Sequence, residues 1–150
     1  MTLILIDLKY NLLNNLFIQG KNMTDHKALG EKFLQDKASE QGIIEIEQGL
    51  LYKVEKSGDA SSELPKRNST VLVNYVGKNI DGSIFDQGKR IELPLNMVIK
   101  GWTNAVTKMH VGDKWTLFIH PSLAYGERGA PPVIQPNSTL IFDIELLEIL

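Results

Sequence analysis

The residues with the most to offer chemically are Tyr75, Asp86, Trp102 and Tyr125, and none of them is an activated nucleophile. They sit among other aromatics in short signatures: Tyr75 in V-N-Y-V-G, Phe85 and Asp86 in I-F-D, Trp102 in V-I-K-G-W, Tyr125 in L-A-Y-G, Phe118 in T-L-F-I-H and Phe142 in I-F-D-I-E. These rings punctuate strands, a helix start and a loop instead of forming one stripe. Residues of these types can build an apolar, water-poor pocket in which a few positioned hydrogen bonds fix orientation. Taken singly, Trp102, Val98 and Phe142 read as core, and Tyr75 and Phe85 as strand residues facing it. Asp86 before Gln87-Gly88 reads equally well as a turn former. Tyr125 fits a core less easily, because a large aromatic in a Gly- and Pro-rich loop usually has a target.

Other chemistries find no support. His26, His110 and His120 are scattered without zinc-like spacing, so no metal site is expected. The absence of cysteine excludes disulfides and thiol-ligated zinc, and fits a reducing cytoplasm. Neither G-x-S-x-G nor a P-loop is present, and Gly126-Glu127-Arg128-Gly129 is too short to cradle a phosphate. A net charge of -2 gives no basic face for nucleic acid. Asn68-Ser69-Thr70 and Asn137-Ser138-Thr139 fit the glycosylation tripeptide, which says nothing about a chain that is not exported.

The elements that must position the aromatics follow from periodicity. Leu50, Tyr52 and Val54 alternate with Leu51, Lys53 and Glu55, predicting a strand. Thr70 to Gly77 predicts a second, Asp81-Gly82 a turn, and Ile91, Leu93 and Leu95 a further strand. Val98, Trp102, Ala105, Val106 and Met109 share one helical face, with Gly112 beyond it. Lys114 to His120 predicts a strand with Trp115, Leu117 and Ile119 on one side, and Thr139 to Ile149 predicts the last. The stretch from Pro121 to Ser138 is too long for filler in so small a domain and reads as functional. Strands dominate, one short amphipathic helix interrupts them and no βαβ rhythm appears, which argues for an α+β fold: an antiparallel sheet wrapped over one helix.

At 150 residues, 43% hydrophobic and 23% charged, the chain has room for one domain and a short appendage. Thr24 or Asp25 is placed to cap a helix over 24–41 with apolar positions Leu29, Phe33 and Ala38, stopped by Gly42. Upstream, Leu3 to Ile6 is apolar, but Asp7, Lys9, Asn11, Asn14 and Asn15 break the run needed for a signal peptide or a membrane span. Leu5, Leu8, Leu12 and Leu16 recur at helical spacing; a leader without structure ahead of a start at Met23 is the alternative reading of residues 1–22. No export, no membrane association and a cytoplasmic location are therefore expected.

From Gly49 to Leu150 the order of these motifs, with Asp86, Val98, Ile99 and Ala130-Pro131-Pro132-Val133-Ile134, resembles the FKBP-type peptidyl-prolyl isomerases. It is most similar to the bacterial branch related to the macrophage infectivity potentiator (Mip). The resemblance implies a curled sheet of about five strands holding the Val98–Met109 helix, with residues 1–48 as an N-terminal extension and 49–150 as the isomerase domain. It implies that Trp102 forms the floor under a prolyl ring, and that Tyr75, Phe85, Val98, Ile99 and Phe142 form the walls. The Ile99 N–H and the Tyr125 hydroxyl would bind peptide carbonyls, Asp86 would stand at the rim in a network with Tyr75, and Val133 and Ile134 would form an apolar flap. The implied activity is rotation about X-Pro bonds of polypeptides, assisting folding, with no cofactor and with inhibition by macrolides of the rapamycin type. Helices at this point in the Mip-like branch lead to an upstream dimerisation region; the little chain upstream here makes a monomer the expectation.

Three departures bear on the site. Ile91 stands where the family often has an aromatic that helps to enclose the proline, and Ala130 where the flap residue is often larger. The 87–90 segment is short, so the loop that commonly braces the aspartate is expected to be missing. A proline-binding or chaperone-like module with little catalysis is the rival reading.

Overall fold

The computed structural model describes residues 25–150, and the readings made for residues 1–22 and for Thr24 lie outside them. In chain order the elements are helix α1 (His26–Ala38), strands β1 (Ile43–Glu47), β2 (Leu50–Lys56), β3 (Thr70–Asn79) and β4 (Ile84–Pro94), helix α2 (Lys100–Val106), and strands β5 (Lys114–Ile119) and β6 (Leu140–Ile149). The strands form one antiparallel sheet in the order β1-β2-β5-β6-β3-β4.

Period-two patterning decides which side of the sheet faces α2. Leu140, Phe142, Ile144 and Leu146 of β6 have no exposed surface, and Leu117 and Ile119 of β5 and Val71 and Val73 of β3 match them. Trp102, Ala105 and Val106 of α2 are equally buried against this side. The helix is shorter than its pattern. Ile99 is its N-cap with extended geometry, and the turn after Thr107 is held by Lys108 and Met109 N–H groups donating to the Ala105 and Val106 carbonyls. Val98 and Met109 keep the apolar face going through turns, which periodicity cannot tell from helix. The buried Thr103 hydroxyl donates to the Leu95 carbonyl at 2.5 Å and ties α2 to the end of β4.

The sheet has six strands where about five were expected. The added one, β1, lies in the segment assigned to the extension. It is an edge strand of five residues in which Glu45 and Glu47 alternate with isoleucines, Ile44 being 47% exposed. So short and half-exposed a run barely departs from the pattern of a helix end or a loop. The sheet thus begins at Ile43, ahead of the Gly49 boundary.

Helix α1 covers the other side of the sheet. Asp25 caps it by accepting the Ala28 N–H at 3.0 Å. Its inward residues are Gly30 and Leu34 with Phe33 partly buried, whereas Leu29 is half exposed, so the expected Leu29–Phe33–Ala38 face is rotated. The cause is the seat itself: a Cβ on Gly30 would collide with the Thr139 side chain, so only a glycine lets the helix lie this close. Beneath α1, Leu51, Phe118 and Ile141 are cross-strand partners on β2, β5 and β6. Phe33 meets Phe118 at 6.1 Å between ring centroids, and the Lys37 ammonium lies 5.0 Å from the Phe118 ring.

Phe118→Ala removes the largest ring under α1 and is expected to cost about 3 kcal/mol in urea unfolding. Hydrogen exchange should accelerate in residues 26–38 far more than in β3; uniform acceleration would mean that α1 is not held by this cluster.

Candidate functional site

A chain of aromatic rings in edge-to-face contact runs through the α2 side of the sheet. The Tyr75 ring meets Trp102 at 5.4 Å and 83°, Trp102 meets Phe142 at 5.4 Å and 85°, and Phe142 meets Phe85 at 5.5 Å and 88°. The four rings come from β3, α2, β6 and β4. Edge-to-face geometry sets the positive rim of one ring against the negative face of the next. Trp102 and Phe142 have no exposed surface, and Tyr75, Ile99, Tyr125 and Ile134 are buried as well. Phe85, Ile91 and Val98 are half-buried and pack on this cluster.

The polar groups gather at the Tyr75 end. The Tyr75 hydroxyl donates to Asp86 Oδ2 at 3.0 Å. Tyr125 is close enough to feel both: burial first, then the Asp86 charge, then Tyr75 push its phenol well above the usual tyrosine range. Its hydroxyl therefore stays a proton donor throughout the physiological range.

Two glycines make room for this arrangement. Gly77 pairs with Phe142 on one side and Asp86 on the other. A Cβ there would lie 2.7 Å from Phe85 and 2.8 Å from Phe142, so the two rings occupy the space a side chain would need. Gly88 does the same for Tyr75 and Ile91, with a Cβ position 2.9 and 2.6 Å from them. The sequence showed both glycines, one of them inside a quoted motif, but the role of an absent side chain shows only once its neighbours are in place.

The 87–90 segment is not a short loop. It continues β4 as a strand, with an irregularity opposite Val73–Tyr75 and a left-handed Arg90 (φ 51°) whose N–H donates to Asn74 Oδ1 at 2.9 Å. Asp86 is held by the Tyr75 hydroxyl from the neighbouring strand β3.

The flap is ordered by its own backbone. Ala130 and Ile134 exchange N–H···O bonds of 2.8 and 3.0 Å, and the Asn137 N–H donates to the Gly126 carbonyl at 2.9 Å. Gly129 sits at φ 64°, and a Cβ on it would strike the Ile134 carbonyl. Ile134 and Ala130 turn into the aromatic cluster. Val133 is 43% exposed and lines a neighbouring cavity with Leu29 and Ile80.

Trp102 Nε1 is buried with no hydrogen-bond partner among the described residues, at the centre of the ring chain. Among the described residues no group of histidine and carboxylate side chains is arranged to hold a metal.

Residues 61–147 match the model of the FKBP-type peptidyl-prolyl cis-trans isomerase family. The chain belongs to that family. Its relatives place it in the bacterial Mip-like branch: it is 47% identical over 127 residues to the FKBP-type 22 kDa peptidyl-prolyl cis-trans isomerase of Escherichia coli, covering 82% of this chain and 61% of the relative. It is 42% identical over 121 residues to the peptidyl-prolyl cis-trans isomerase Mip of Coxiella burnetii, covering 78% of this chain and 52% of that one. The chain thus spans between half and two thirds of these FKBP relatives' length. Among solved structures, a peptidyl-prolyl cis-trans isomerase from Pseudomonas syringae pv. tomato superposes with a TM-score of 0.79 at 35% identity, covering 83% of this chain and 92% of that one. An FKBP fold is therefore shown for the sheet and α2.

The raised Tyr125 pKa has a signed consequence. Above about pH 10 the unfolded state ionises this phenol while the folded state keeps its proton, so stability is intact below pH 10 and falls above it. In urea unfolding between pH 9 and 11, Tyr125→Phe should decline less steeply than wild type. Parallel declines would mean that the phenol is not shielded.

Proposed function

We propose that this chain catalyses cis-trans isomerisation of X-Pro bonds in polypeptides and so assists their folding. The observation that carries the reading is the convergence of the Tyr75–Trp102–Phe142–Phe85 rings with Asp86 and Tyr125 in one cluster. The reaction has a barrier of ~18–20 kcal/mol and takes ~10–100 s uncatalysed. It makes and breaks no bond, so the site has only to bind the twisted amide better than either planar form.

The planar amide owes its double-bond character to a charge-separated resonance form that water stabilises. A dry, aromatic environment withdraws that stabilisation, and the twisted amide loses less by the transfer. In this reading the prolyl ring rests on the Trp102 indole between Tyr75, Phe85, Val98 and Phe142, with Ile91 and Ile134 closing the sides. Because Trp102 and Phe142 are fully covered, the ring reaches them only as half-buried side chains at the mouth part around it. Water is excluded by the same movement. The Ile99 N–H and the Tyr125 hydroxyl donate to peptide carbonyls, which fixes which bond turns. Asp86, held by Tyr75, faces the reacting carbonyl and favours the geometry in which its carbon is least shielded by resonance. Proline-containing polypeptides and macrolides of the rapamycin type are the ligands this pocket fits, and a cytoplasmic monomer is part of the same proposal.

The test is the interconversion rate of a Leu-Pro peptide by exchange NMR, with and without rapamycin. Acceleration that the drug abolishes is expected. Drug binding without acceleration would favour a binding module, and the absence of both binding and acceleration would refute the pocket.

Trp102→Ala is expected to abolish rapamycin binding in calorimetry; unchanged binding would remove Trp102 from the site. Asp86→Ala should lower kcat/KM by about tenfold, equivalent to ~1.4 kcal/mol, while the urea midpoint moves little. An unfolded variant with wild-type turnover in its folded fraction would make Asp86 structural.

A further inference from the structure

Successive residues of a strand point to opposite sides of its sheet, yet Phe85 and Asp86 are neighbours on β4 and both reach the aromatic cluster. Ile91 packs on the same cluster, although it lies an odd number of positions from Asp86. The register explains both. Val73 pairs with Ile91 and Tyr75 with Gly88, so Asn74 alone on β3 faces Lys89 and Arg90 on β4. Gly77 pairs with Asp86 and Lys78 with Ile84, which leaves Phe85 as a second extra residue. Each such bulge inverts which residues of β4 face α2. With the Lys89–Arg90 bulge removed, Tyr75 would pair with Lys89 and Gly77 with Gln87, and Asp86 would turn to the outer side.

This bulge is held from the outer side of the sheet. Arg90 is left-handed, at φ 51°, a conformation that a residue with a Cβ keeps only where its surroundings hold it. Its N–H donates to Asn74 Oδ1 at 2.9 Å. The Asn74 amide is fixed in turn by donating from Nδ2 to Glu145 Oε1 at 3.1 Å, and Glu145 is its cross-strand partner on β6. One amide thus spans from β6 to the bulge, and a leucine of similar size offers neither bond. Asn74 stands between Val73 and Tyr75, both buried toward α2, so its own side chain faces the other way. There it lines a surface groove with Gln87, Lys89 and Glu145.

We infer that Asn74 is a positioning residue for the reaction: by holding the Lys89–Arg90 bulge from the outer side of the sheet, it turns Asp86 into the site. It touches no substrate and acts through Asp86. The inference rests on the isomerase reading for what Asp86 does there, and on the register for where Asp86 points. Gly88 reports that register from the inner side. A Cβ on it would lie 2.9 Å from the Tyr75 ring, so its own hydrogens face that ring only while the bulge is in place.

The test compares Asn74→Leu, Asp86→Ala and the double variant in the full chain. Turnover of a Leu-Pro peptide is followed by exchange NMR, and the register by the nuclear Overhauser contact between Gly88 Hα and the Tyr75 ring. Asn74→Leu should slow turnover about fivefold and remove the Gly88–Tyr75 contact. The double variant should be no slower than Asp86→Ala, because a carboxylate already absent cannot be misplaced. Adding Arg90→Gly to Asn74→Leu should restore both readouts, since glycine keeps a positive φ without a brace. A Gly88–Tyr75 contact that survives Asn74→Leu, losses that add in the double variant, or no rescue by Arg90→Gly would overturn the assignment. Should Asn74→Leu fail to fold, Glu145→Ala removes only the far anchor of the amide. It should slow turnover about twofold and weaken the same contact, and wild-type values for both would then overturn the assignment. A wild type without turnover would strike the isomerase reading instead, because the Gly88–Tyr75 contact and its sensitivity to the variants are read without catalysis.

Discussion

Trp102 is held at the centre of the molecule by two edge-to-face contacts, with Tyr75 from β3 and Phe142 from β6, and the geometry of the site follows from that grip. Each edge-to-face pair contributes ~0.5–1.5 kcal/mol beyond the area it buries. The directional part matters more than the sum. A T-shaped pair fixes the tilt of both rings, and Phe85 continues the chain by standing against Phe142. Three strands are thereby oriented relative to one indole, and the Tyr75 hydroxyl fixes the carboxylate of Asp86. Gly77 and Gly88 are part of the same constraint, since the rings meet only where no side chain stands between them.

The two sides of the sheet do different work with the same strands. Toward α2, β5 and β6 supply the deepest core; away from it, Phe118 and Ile141 of those strands seat α1. Position 139 connects them. Thr139 underlies Gly30 of α1, closes the flap and leads directly into β6 and Phe142. The N-terminal helix and the aromatic site are thus joined by a few residues of continuous backbone.

What the sequence made legible was what side-chain type and period encode. The alternation in β5 and β6, the apolar face around Trp102 and the joint order of the aromatic motifs pointed to the observed architecture and to residues that converge in it. What it hid was set by context. Strand β1 sits at a half-exposed edge, so its residues carry little pattern. The α1 face was misplaced because its defining residue is a glycine, which registers as no signal where a close approach needs it. The 87–90 segment looked like a truncated loop, whereas pairing with β3 makes it strand and lets Tyr75 do the bracing.

The strand order has a consequence for how such a molecule is made. β6 is the last of the described strands to be synthesised, yet it lies between β5 and β3. Until it is inserted, β1-β2-β5 and β3-β4 are two separate ribbons with no shared hydrogen bonds between their facing edges. Pairing of this kind closes long loops late and folds slowly. Phe142, the ring on which both Trp102 and Phe85 lean, arrives with that strand. The ribosome therefore delivers every other ring of the cluster before the one that joins them.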